Sequence, residues 1–208
     1  MRPSAGPALG EVEAASSTSQ RPLLGAWGLA TEPGATAPGS TEPGATARIL
    51  VVGMGNPLLG DDAVGWHVAE RVSAWLRDEA NAGHPHDADV DVMAVGGLAL
   101  MERMVGYRVA ISVDAAQLPG LAPGTVRALA LDDVPWGSAG HLDSAHDTSL
   151  QTALRLGSRL GAALPDRVYV VAVQASPPEE FSEHLSAAVA EAIPVAADAV
   201  VSLLRSEE

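Results

Sequence analysis

"ILVVGMGNPLLGDDAVGWHVAERV", residues 49–72, passes from a short apolar run through a glycine-asparagine turn and two adjacent aspartates into an amphipathic segment. The run is short, rich in β-branched residues and closed by glycine, so "RILVVG" (48–53) reads as a buried strand. From Ala63 onward, Val64, Val68, Val72, Trp75 and Leu76 fall at helical spacing. Strand, tight turn and helix together open an α/β unit. Its turn sets the first chemical question, because a helix start that could hold a phosphate here carries two negative charges.

The same alternation continues downstream. "DVDVMAV" (89–95) reads as a second strand, "LALMERMVG" (98–106) as a short helix, and "RVAISVDA" (108–115) as a third strand buried on both faces. "GTVRALAL" (124–131) follows a proline-glycine turn too short for a helical crossover, which predicts an antiparallel edge strand. A helix near 147–163, a strand "RVYVVAVQ" (167–174) and a last helix from about Glu179 to Arg205, kinked or broken at Pro194, complete the pattern. Right-handed crossovers then give a mostly parallel, twisted five-stranded α/β sheet with helices on both faces and one antiparallel edge strand. Residues 1–47 are rich in Pro, Gly, Ala, Ser and Thr and repeat "TEPGATA" at Thr31 and Thr41. They bury too little to offset their chain entropy, so a disordered tail is expected ahead of a single domain over 48–208. The apolar island "RPLLGAWGLA" inside the tail is a possible docking arm.

Composition removes several functions. A formal charge of −14, from 26 acidic and 12 basic residues, would repel a phosphate backbone, so no nucleic-acid partner is expected. With no cysteine there is no thiolate metal site and no cysteine nucleophile. The N-terminus shows no signal-peptide core and no membrane span, so the default expectation is a soluble cytoplasmic protein. Half of a dinucleotide fingerprint is present at Gly53 and Gly55, but Leu58 stands where its third glycine belongs. The second strand offers no acid for a ribose hydroxyl, and Asp61 and Asp62 would repel a pyrophosphate at the helix start. A Rossmann-type nucleotide-binding protein is therefore the weaker alternative.

In an open parallel sheet, ligands bind outside the carboxyl ends of the strands. Asp62 follows the first strand, and Asp114 ends the third in "AISVDAA". A helix cap accounts for one of the paired aspartates, and Asp61 is assigned to the helix start. His146, in "LDSAHDTSLQTALRLG", opens the next long helix. Two carboxylates and an imidazole form an oxygen-rich site with open positions, suited to nickel, iron, manganese or a catalytic zinc, and spacing does not choose among them. Ser112, Ser144 and Ser149 lack a nucleophile elbow, so an acyl-enzyme is not expected.

"VVGMGNPLLGDDAVG", "SVDA" and a histidine opening the following helix resemble the hydrogenase maturation proteases, which trim the C-terminus of the NiFe hydrogenase large subunit. The resemblance spans about residues 48–205 and implies that Asp62, Asp114 and His146 are the catalytic and metal-engaging residues. It implies that the metal is nickel presented by the large-subunit precursor, with no permanently bound cofactor. Gly55, Asn56, Gly96 and Gly97 are then substrate-binding positions. Where the family often has Asp-Gly-Gly-Thr, this chain has Val95-Gly96-Gly97-Leu98, which alters a stretch linked to substrate choice. The flanks of His146 also differ, leaving His141 as a substitute ligand. A nickel checkpoint that binds precursor without cutting it is the other competing reading.

Overall fold

The computed structural model describes residues 48–134, 149–177 and 181–207. The tail assigned to residues 1–47 and both His141 and His146 lie outside the described residues. Strands β1 (Ile49–Met54), β2 (Ala88–Met93), β3 (Val109–Ala116), β4 (Val126–Ala130) and β5 (Arg167–Gln174) form one sheet in the order β2-β1-β3-β5-β4. β1 pairs in parallel with β2 and β3, and β3 with β5, while β4 lies antiparallel on β5 at the edge. The expected fold class and its antiparallel edge strand are what the chain adopts.

Alternation along β1 explains the two-sided core. Ile49 and Val51 face one layer with Val109, Ile111, Val171 and Val173; Leu50, Val52 and Met54 face the other with Ala110 and Val170. Helices α1 (Val64–Asn81) and α4 (Ala187–Ser206) cover the first layer through Val64, Val68, Val72, Val189, Val200 and Leu204. Helices α2 (Gly97–Met104) and α3 (Leu150–Arg159) cover the second through Leu100, Met104, Leu150 and Ala153.

Two helix expectations need correction. The last helix begins at Ala187, where the Ser186 side chain accepts from the Val189 amide at 3.4 Å, and not near Glu179. Ser182 instead pairs its backbone with Leu58 and Gly60, so a tertiary contact replaces the first turns of the expected helix. Nor does Pro194 end α4, which continues through it. Pro194 and Ala190 both face solvent, where water can serve the carbonyl that proline leaves without an N–H partner. By length and composition α4 could cross a membrane, a property absent from the sequence reading, yet its apolar stripe packs on α1 and β5.

Beyond α4, the Glu207 carboxylate is clasped at the amino ends of the central strands. It accepts from Arg167 Nη2 at 2.6 Å, Arg108 Nη1 at 3.3 Å and the Tyr169 hydroxyl at 2.7 Å. That hydrogen bond to Glu207 holds the Tyr169 phenol above its ordinary pKa, with burial adding to the shift. The Glu207 side chain is 2% exposed, but its arginine partners are 27% and 50% exposed. Glu207→Ala should therefore cost about 2 kcal/mol, between the ranges for exposed and buried pairs. A melting temperature within a degree of wild type would show that the clasp adds nothing.

Candidate functional site

The chain reverses direction of sheet growth between β1 and β3. From β1 it moves outward to β2, then returns past β1 to β3 and on to β5. The carboxyl ends of β1 and β3 therefore border the crevice where such sheets take ligands. Asp62 follows β1 in a 3-10 turn, Gly60–Ala63, and Asp114 lies near the end of β3. That turn touches β3, so the structure brings both elements to one crevice.

Glycine makes this approach possible. A β-carbon on Gly65 would lie 2.3 Å from the Met54 carbonyl oxygen and 2.4 Å from that of Val113, so only hydrogen fits where α1 meets β1 and β3. Gly55 has φ +131°, and a β-carbon there would stand 1.8 Å from the Asp62 carbonyl oxygen. The turn closes on itself from inside: Asn56 N–H donates to Asp62 Oδ2 at 2.7 Å, and Leu58 N–H to Asn56 Oδ1 at 3.0 Å. Gly55 N–H also donates to the Met93 carbonyl at 3.0 Å, fastening the turn to the end of β2.

Asp114 is 1% exposed at the end of a strand in the middle of the sheet. Its carboxyl group therefore stands withdrawn from bulk water at the lip of the crevice. Ser112, one strand repeat earlier on the same face, is fully buried, and its hydroxyl has no hydrogen-bond partner among the described residues. Replacing an unsatisfied hydroxyl with hydrogen removes a desolvation penalty. Ser112→Ala should hold or raise stability, by up to about 1 kcal/mol in thermal or urea unfolding. A loss above that size would mean that the hydroxyl is bonded in solution.

Asp61 does not cap α1, contrary to the sequence expectation. It sits in the 3-10 turn, α1 has no side-chain cap, and Asp61 Oδ1 accepts from the Ser186 N–H at 2.6 Å. The aspartate thus joins the turn to the start of α4, across 125 residues of sequence. Nothing local in the chain signals that partnership. Gly96 and Gly97 stand at the start of α2, with Gly97 at φ +57°. Val95 and Leu98 beside them are exposed.

Ser149 reaches the same edge of the sheet. Crossing from β2 to the parallel β3, α2 runs against the strands. Gly106, just past α2, donates to the carbonyl of Ala163, just past α3, at 2.8 Å. The two packed helices therefore finish together at the amino ends of the strands and begin together at the carboxyl ends. Among the described residues, no group of three or more acidic or histidine side chains is placed to hold a metal.

A family model described as hydrogenase maturation protease matches residues 78–203, more than half of the chain. The chain belongs to the hydrogenase maturation protease family. Asp114 lies within that match, and Asp62 precedes it. This hydrogenase maturation protease is 29% identical over 161 residues to the hydrogenase expression/formation protein HupD of Rhizobium leguminosarum bv. viciae, covering 76% of the chain and 75% of the relative. Identity to the HupD of Rhodobacter capsulatus is also 29%, over 76% of the chain and 72% of the relative. Among solved structures, the hydrogenase maturating endopeptidase HybD of E. coli superposes with a TM-score of 0.57 at 26% identity, covering 76% of this chain and 93% of that one. The HybD of Thermococcus kodakarensis shares the fold at a TM-score of 0.52 and 22% identity, covering 76% and 99%. Membership of this protease family replaces the nucleotide-binding reading.

Proposed function

We propose that this protease removes the C-terminal extension of a NiFe hydrogenase large-subunit precursor already loaded with nickel. The reading is supported chiefly by the placement of Asp62 and Asp114 at the carboxyl ends of β1 and β3, on either side of the topological crevice. A chain without cysteine leaves carboxylates and imidazoles as its strongest donors, and two carboxylates suit a divalent ion delivered by the substrate. His146, three residues before Ser149 in the sequence, is the proposed source of the imidazole.

Substrate-borne nickel supplies Lewis acidity, which polarises the scissile carbonyl or acidifies a water. The protein's residues do the rest. Asp62, fixed by the Asn56 backbone N–H, offers its carboxylate from the turn, and Asp114 offers the second from the end of β3. One of the two carboxylates takes the proton of the attacking water. Gly55, Asn56, Gly96 and Gly97 line the approach of the peptide, which reaches the protein in the cytoplasm.

Incubating the full chain with nickel-loaded and nickel-free precursor, followed by intact-mass measurement, tests this. Loss of a C-terminal peptide from the loaded form alone is the expected result. Equal cutting of both forms would remove nickel from recognition, and binding without cutting would make the protein a checkpoint.

A further inference from the structure

Two of the exposed large apolar side chains lie next to the crevice. Phe181, the only phenylalanine of the chain, is 84% exposed, and Leu58 is 51% exposed. Scattered exposed apolar residues are ordinary, but these two stand on a fixed frame. Ser182 N–H donates to the Leu58 carbonyl at 3.0 Å, and Gly60 N–H donates to the Ser182 carbonyl at 2.6 Å, forming a short parallel bridge between Leu59 and Ser182. Asp61 Oδ1 fastens the same segment at Ser186. Leu58, Phe181, Ser182 and Glu183 line an open cleft of about 340 Å³, at the small end of ligand sites.

The cleft shares Leu58 with the loop that leads into the proposed catalytic turn. Leu58 N–H is held by the Asn56 side chain, and Asn56 N–H by Asp62 Oδ2, so two hydrogen bonds separate the cleft from the carboxylate. Charge narrows the occupant further. Residues 49–70, 109–126 and 168–204 contain no Arg or Lys, while they carry Asp61, Asp62, Asp114 and Glu183. A ligand at this cleft therefore meets an apolar wall beside carboxylates, with no Arg or Lys in the segments that form it.

We propose that Leu58 and Phe181 form an apolar clasp for the precursor peptide, seating one large apolar side chain of a segment whose neighbours are basic. This rests on the proposed function, since it takes the peptide being cut as the occupant. The backbone frame supplies preorganisation: the clasp is set before the peptide arrives, and the ordering cost of binding falls mainly on the peptide. Specificity then comes from whether a precursor has an apolar residue at the right distance from its cleaved bond.

Binding and cleavage are measured separately on the full chain, with nickel-loaded precursor as probe. Leu58→Ser, Phe181→Ser and the double variant are compared with wild type, and Leu160→Ser serves as control, since Leu160 is 76% exposed at the end of α3. The double variant should bind precursor roughly tenfold or more weakly, as truncation of central apolar anchors does. Its KM should rise in step while kcat stays within about twofold, the pattern of lost uniform binding. Raising the salt should weaken wild-type binding, because the basic flanks are attracted through solvent. Unchanged affinity in the double variant, or an equal loss in Leu160→Ser, overturns the clasp, and so does wild-type protein that binds no precursor. If wild type binds without cutting while the double variant binds more weakly, the clasp stands and the protease reading alone fails.

Discussion

Asp62→Asn should fold as wild type and lose at least about 10²-fold in precursor processing, the scale of a positioned acid-base group. The amide keeps an oxygen that can accept from the Asn56 N–H, so the turn is preserved while the negative charge is lost. Asp114→Asn should behave alike, because the substitution is isosteric at a position 1% exposed. Asp61→Asn supplies the contrast. Its side-chain oxygen can still accept from Ser186, and Asp61 has no assigned part in the chemistry, so activity should be retained. Cleavage is read by the mass of the large subunit and folding by near-ultraviolet dichroism. Full activity in Asp62→Asn together with inactivity in Asp61→Asn would move the ligand to the neighbouring residue.

Gly65→Ala should cost about 3 kcal/mol or more in stability, at the upper end for overpacking. The new carbon would meet three backbone atoms, Met54 O, Val113 O and Met54 N, at 2.3, 2.4 and 2.6 Å. Backbone cannot rotate aside as a side chain can, so α1 would have to lift from β1 and β3. Gly83→Ala is the control: it has φ +89° with nothing within 4 Å, so it carries backbone strain alone, about 1 kcal/mol. Urea denaturation of the two variants compares the effects directly. Equal losses would mean that the helix shifts at no cost and that the tight contact is unimportant.

Much of this architecture was legible because the signals that carried it are local. Ile49 to Met54 announce a strand by type and length, and the turn before Val126 is too short for any connection but an antiparallel one. Asp114 was legible because a charge closing an apolar run is conspicuous. The start of α4 was not, because helical spacing continues upstream of Ala187 and only the pairing of Ser182 with Leu58 and Gly60 overrules it. The role of Asp61 was hidden for a related reason: a carboxylate ahead of a helix matches a cap, and its true partner is remote in sequence. Leu58 and Phe181 gave no periodic signal, since each stands in a connection.

The bond from Asp61 to Ser186 also bears on when the protein becomes active during its synthesis. It joins positions 125 residues apart, and contacts so distant in sequence form late because a long loop must close first. A ribosome adds about 5–20 residues per second, so the turn holding Asp62 emerges several seconds before the segment that braces it. During that interval the aspartates are present but the clasp beside them is not. An unfinished chain should therefore hold precursor poorly, and premature trimming by nascent protease is disfavoured by the order in which the ribosome delivers the parts.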